Sequence, residues 1–125
     1  MVEAELYSEI CIAAAKLGVR LYRNNVGTFR SQDKGSRWIR TGLCPGSSDL
    51  VGMRTVQVGG SQVAQFVAIE VKLPGKSPKK HQRDFLAMVN DAGGLAGCVH
   101  SVEEAETLLK LPSPCGVQPY GFPSK

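Results

Sequence analysis

The chain has no apolar run long enough to span a bilayer, and it does not open on a basic stretch followed by an apolar one. An intracellular protein is therefore expected, with no membrane association. There is no C-x-x-C pair: Cys11, Cys44, Cys98 and Cys115 are scattered, and only His81 and His100 could join them. Zinc-site spacing is absent, and the cysteines read as reduced structural thiols. Neither histidine lies beside a plausible triad, which leaves serine- or cysteine-nucleophile chemistry with little support. His81 belongs at an exposed helix start within reach of a phosphate, and His100 at a strand end as a structural residue. No internal repeat is visible.

What is present suffices for one domain. The 125 residues, 42% hydrophobic and 21% charged, allow a single core and are too few for two. The net charge of +4 is unevenly spread. Arg20, Arg23, Arg30, Lys34, Arg37 and Arg40 face a single acid, Asp33, with Tyr22, Phe29 and Trp38 interleaved. A phosphate-facing surface and a solvated basic face both fit that pattern.

The segment FVAIEVKL, residues 66–73, alternates. Val67, Ile69, Val71 and Leu73 share one face of a strand, and Phe66, Ala68, Glu70 and Lys72 share the other. Upstream, Gly59-Gly60 separates two extended runs, the signal of a two-residue hairpin with a type I′ turn. Val58 then faces Ser61, and without a bulge the register sets Asp49 opposite Glu70. Directly opposed Cβ atoms lie about 4.5–5.5 Å apart, so two carboxylates would stand side by side. Such like charges conflict unless screened, and a divalent cation taking hard oxygen ligands would remove the conflict.

At the start of the chain, Leu6, Ile10, Ala13 and Leu17 have helical spacing, ending at Gly18. Glu9 falls at the edge of that stripe, where it either snorkels to water or reaches into a site. The segment 19–27 reads as a strand, 28–37 as a polar connection, and 37–43 as a short strand. After the charged strand, Ser77 reads as a helix N-cap with Pro78 at the first helical position. The stripe of that helix is Phe85, Leu86, Val89 and Ala92, with Gln82 pointing inward near the charged strand and Lys79, Lys80 and Arg83 exposed. Residues 95–101 read as a further strand and 102–111 as a last helix. The Pro- and Gly-rich tail, 112–125, reads as a frayed end, or as a docking segment through Tyr120 and Phe122.

Taken together, "CPGSSDLVG" and "IEVKLPGKSPKKHQRDFLAMVNDAGG" resemble the VRR-NUC family, a branch of the PD-(D/E)xK restriction-endonuclease-like nucleases. The resemblance runs from Glu9 to the last helix, and it implies a nuclease domain over 1–111. The implied fold is α/β, a restriction-endonuclease-like core with a mixed β-sheet flanked by helices. It also implies that Asp49 and Glu70 ligate a metal, Mg²⁺ or Mn²⁺, assisted by the Val71 carbonyl. Lys72 would position or activate water and offset phosphate charge. Glu9 would match the first-helix acid, a further ligand, and Gln82 the polar residue supporting Lys72 or the metal. One departure stands out: Ser48 occupies a place where the family often has proline, so local backbone geometry alone is expected to differ.

Short members of this family look like homodimeric Holliday-junction resolvases, which implies cleavage of phosphodiester bonds in branched, four-way DNA. Arg20, Arg23, Arg30, Lys34, Arg37, Trp38 and Arg40, with Lys79 and Lys80, would bind the DNA. A flap or nicking endonuclease breaks the same bond, and a non-catalytic DNA-binding module is the reading from another class. Stand-alone members are often phage-encoded, which fits a bacterial cytoplasm or a phage-infected cell.

Overall fold

The computed structural model describes residues 2–112. Its elements run α1 (Glu3–Lys16), β1 (Arg20–Arg23), β2 (Gly27–Arg30), β3 (Trp38–Thr41), β4 (Leu50–Val58), β5 (Ser61–Val71), α2 (Lys80–Asp91), β6 (Leu95–Val99) and α3 (Val102–Leu109). The expected tail segment with Tyr120 and Phe122, and Cys115, lie outside the described residues. Strands β1, β4, β5 and β6 form one mixed sheet in that order, with β5 and β6 parallel and the other pairs antiparallel. This is the expected mixed sheet flanked by helices.

Period-2 alternation on β5 decides which helix covers which face. Val67, Ile69 and Val71 are fully buried against Leu6 and Ile10 of α1 and Ala105 and Leu109 of α3. Each such burial contributes about 1.5–3 kcal/mol. On the opposite face Ala68 packs with Leu86 and Val89 of α2. Glu70 and Lys72 belong to this second face, at the end where the apolar packing stops. Leu73 lies past the strand and is only half-buried.

The β4–β5 register is the expected one without a bulge, from Val58↔Ser61 to Leu50↔Ile69. The turn itself differs from expectation. Of its two glycines only Gly59 has positive φ, at +60°, the place where a type II′ turn needs it.

Three other boundaries differ. β1 stops at Arg23 because Asn24 turns inward and is buried. The segment read as a polar connection contains β2, which pairs with β3 in a two-stranded ribbon. Its turn is closed by polar groups: Ser31 N–H donates to the Arg37 carbonyl at 2.7 Å, and Ser31 Oγ to Asp33 Oδ1 at 2.6 Å. Most of the ribbon's side chains are exposed, so no core pattern marked it in the sequence. Finally, α2 begins two residues later than expected, with Lys79 as its N-cap.

α3 is tied down at both ends. Ser101 Oγ accepts from Glu104 N–H at 3.1 Å, satisfying an otherwise orphaned donor. At the other end Arg54, only 2% exposed, donates through Nη1 to the carbonyls of Leu109 and Leu111 at 2.9 and 2.7 Å. A cation there also meets the negative end of the helix dipole. Gln65 accepts from Arg54 Nε at 2.7 Å and donates to the Gly93 carbonyl at 2.9 Å.

Candidate active site

Because β4 and β5 hold their register to the last pair, Asp49 and Glu70 arrive together at one end of the sheet. Asp49 Oδ2 accepts from the Val71 main-chain N–H at 2.9 Å, which sets its carboxyl close enough to that of Glu70 to act on it. Glu70 is 1% exposed, and its Oε2 has no hydrogen-bond partner among the described residues. Its pKa is pushed up to about 8, first by burial, then by the hydrogen bond and charge of Asp49, with Glu3 adding and Lys72 opposing. Lys72, two residues on and on the same face, brings Nζ to 3.9 Å from Glu70 Oε1.

The start of α2 closes the site from above. Gln82 Oε1 accepts from Lys79 N–H at 2.8 Å, which secures the first turn of the helix. The same side chain directs Nε2 at Glu70 Oε1, 3.4 Å away. Gly46 lets the loop before Asp49 lie against this turn. Its φ is +85°, and a Cβ there would come within 2.7 Å of His81 Cδ2 and 3.0 Å of the His81 carbonyl oxygen.

Glu9, expected as the first-helix acid of the site, is exposed and makes no hydrogen bond or ion pair among the described residues. The α1 acid whose charge acts on Glu70 is Glu3. At about 100° per residue, Glu3, Tyr7 and Ile10 share one face of α1, while Glu9 points about 200° away from Tyr7. Tyr7 Oη donates to Glu3 Oε1, and the Arg23 guanidinium lies 4.0 Å over the Tyr7 ring. The phenol pKa is raised by burial, then by its hydrogen bond to Glu3 and the charge of Asp49. Spacing puts Glu3 on the face of Tyr7 and Ile10, four and seven residues before them, but only the packing of α1 brings that face to the carboxylates.

Asn24 is a second residue the sequence did not single out. It is 9% exposed. Its Nδ2 donates to Ser47 Oγ and to the Ser48 carbonyl, both at 2.8 Å, and its Oδ1 accepts from Leu43 N–H at 3.0 Å. Its own N–H donates to the Asp49 carbonyl at 2.8 Å. Asn24 therefore fixes the loop that presents Asp49. Ser48, fully buried, donates through Oγ to the Leu50 carbonyl at 2.9 Å and so braces the backbone on both sides of Asp49.

Asp49 and Gln82, with Arg23, Asn24, Phe29 and His81, line an open cleft of about 940 Å³. A separate apolar cavity of about 570 Å³, between the β4–β5 hairpin and α2, has no titratable side chain in its lining. Of the two, only the first is lined by an acid of the carboxylate pair, Asp49. Arg20 and Arg23 lie on β1, Arg30, Lys34, Arg37, Trp38 and Arg40 on the ribbon, and Lys79 and Lys80 at the start of α2, all exposed. Some have local partners: Lys80 pairs with Asp84 at 2.7 Å and Arg37 with Asp33 at 3.9 Å. His81 is exposed at the helix start, as expected, and His100 links β6 to Glu104 and to the Lys76 carbonyl. Cys11, Cys44 and Cys98 are free thiols.

Among the described residues no group of three His, Cys, Asp or Glu side chains is assembled into a metal-binding cluster. Two hard carboxylates do meet, and one of their oxygens is buried without a partner, an arrangement that fits a divalent cation. A search of curated proteins gives no match. A family model described as the VRR-NUC domain matches residues 3–103, a span that contains the whole carboxylate site and both faces of the sheet. The α/β fold, the acid pair with its lysine, and that match agree: the chain belongs to the VRR-NUC domain family and carries a nuclease domain for processing DNA.

Proposed function

We propose that the protein is a metal-dependent, structure-selective DNA endonuclease that hydrolyses phosphodiester bonds at branched DNA as a homodimer, in the manner of a Holliday-junction resolvase. The observation that carries the reading is the buried Glu70 carboxylate beside Asp49, with Oε2 lacking a partner among the described residues and Lys72 adjacent. A buried acid pair costs folding energy and is of use where a cation neutralises it.

Asp49 and Glu70, with the Val71 carbonyl and the Glu3 carboxylate of α1, are the residues that would hold Mg²⁺ or Mn²⁺. Bound there, the ion supplies an acidified water and charge compensation on the phosphate oxygens. The chain's own residues do the rest. Gln82 Nε2 donates to Oε1 of Glu70, and Oε2 keeps no partner among the described residues. Lys72 holds a positive charge in a half-buried position, where it stabilises the extra negative charge of the attacked phosphate. Asn24 and Ser48 hold the Asp49 backbone still. Arg20, Arg40, Lys79 and the neighbouring cations supply the phosphate contacts that place a strand in the cleft.

Paired cuts across a junction require two copies of the site, and a two-fold dimer supplies them. The test is cleavage of a labelled immobile four-way junction beside matched duplex, flap and single strand, with Mg²⁺, Mn²⁺ or chelator. Symmetric nicks on the junction alone, only with metal, support the resolvase. Metal-dependent cutting of flaps or nicking of duplex keeps the nuclease and removes the resolvase. Binding without cutting under either metal makes the protein a DNA-binding module.

A further inference from the structure

The β2–β3 ribbon stands outside both cores, and its two faces differ. The pairs Phe29↔Ile39 and Gly27↔Thr41 share one face, and Thr28↔Arg40 and Arg30↔Trp38 share the other. The first face opens onto the acid cleft, which Phe29 and Thr41 line together with Asp49. Gly27 makes room for this. A Cβ there would lie 3.2 Å from Phe29 Cζ, so the phenyl ring lies back along β2 over Gly27. Even so the ring is 58% exposed and Ile39 beside it 41%.

The surroundings indicate what covers that face. Arg23 lines the same cleft, and Arg30 and Arg40 stand on the reverse of the ribbon, with Arg30 5.2 Å over the Trp38 ring. The ribbon's single acid, Asp33, sits in its turn against Arg37. A polyanion suits this field, and a flat apolar ring suits the face of a nucleobase. In continuous duplex those faces are stacked on one another, and only an unpaired base offers one.

We infer that Phe29, backed by Ile39, is a stacking platform for an unpaired DNA base next to the scissile phosphate, so that the ribbon selects DNA with unpaired nucleotides at the cut over continuous duplex. The inference rests on the nuclease reading of the cleft and names the substrate feature that the cleft recognises. Phe29 acts on the nucleotide beside the reacting bond and takes no part in the chemistry.

The test separates binding from cleavage. The full chain, in chelator, is mixed with DNA carrying 2-aminopurine either unpaired at a branch point or paired within a duplex. The wild type is expected to quench the bright unpaired probe and leave unchanged the emission of the paired one, which stacking in the duplex already holds low. Phe29→Ala removes the quenching and weakens binding to the unpaired probe about ten-fold or more, while Phe29→Trp retains both. With metal present, Phe29→Ala slows cutting beside unpaired bases by a similar factor and slows any duplex cutting less, so the preference for unpaired nucleotides falls. Equal quenching and binding by wild type and Phe29→Ala, or equal quenching of paired and unpaired probes, overturns the inference. A wild type that cuts nothing but shows Phe29-dependent quenching removes the endonuclease reading and supports the platform.

Discussion

Gln82 reaches Glu70 across the gap between α2 and β5, with Nε2 3.4 Å from Glu70 Oε1, while its own Oε1 closes the first turn of α2. One side chain thus couples the start of a helix to the orientation of the buried acid. Gln82→Ala is expected to lower the cleavage rate about 10- to 100-fold, as loss of a supporting hydrogen bond does at a metal site. It should destabilise the fold by only about 1 kcal/mol, the worth of a helix cap. Gln82→Glu keeps the cap acceptor but sets a third acid against Glu70, so its cleavage rate should fall further than that of Gln82→Ala. Single-turnover rates and chemical denaturation of the two variants check this.

Glu70→Gln separates stability from activity. The substitution keeps the shape and removes a charge that burial and Asp49 both disfavour. The metal-free variant is expected to be more stable than wild type by about 1 kcal/mol and to cut no DNA. Mg²⁺ or Mn²⁺ should raise the melting temperature of the wild type and leave that of Glu70→Gln unchanged, because binding to the native state alone stabilises it. Scanning calorimetry with metal and with chelator reads both effects.

Asn24 has no place in the reaction, yet three of its side-chain hydrogen bonds hold the loop before Asp49. Asn24→Ala strands the Leu43 N–H and the Ser48 carbonyl, and the expected loss is about 2–4 kcal/mol. Cleavage at saturating DNA should fall more than DNA affinity, since the proposed phosphate contacts are spread over β1, the ribbon and the start of α2. Urea denaturation, with separate measurement of Kd and single-turnover rate, distinguishes this from general unfolding.

His100 ties the loop after Lys72 to α3. Its pKa is raised above the ordinary 6.5 by its hydrogen bond to Glu104, and next by that to the Lys76 carbonyl. A histidine with a folded pKa above its unfolded one contributes stability that is fully present below the unfolded pKa and is lost as pH rises through the folded one. The imidazole should therefore titrate above 6.5 by NMR. Amide protection of residues 73–79, corrected for intrinsic exchange, should decline across that titration in the wild type and show no such step in His100→Gln.

Much of the site was legible because β-strand alternation and a two-residue hairpin are local rules. Glu70 and Lys72 fall on one face by period alone, and the glycine pair sets Asp49 opposite Glu70 by counting. The α2 start was read two residues early, since Ser77 and Pro78 are strong cap signals that the chain passes before Lys79 takes the role. Arg54 gave no sign of its burial. A charged residue within an apolar strand looks like an edge position until α3 brings its carbonyl ends to it.

By itself the sequence determined the strand faces, the hairpin register and the meeting of the two carboxylates, because each follows from periodicity along one or two adjacent segments. Tertiary structure alone decided that the charge of Glu3 acts on Glu70 while Glu9 is exposed, that Asn24 fixes the Asp49 loop, and that Phe29 overlooks the cleft. Those outcomes depend on how α1 is laid across the sheet and on where an exposed ribbon comes to rest. Neither leaves a periodic trace, since contacts between distant segments are set by the packing of whole elements and not by the spacing of residues within them.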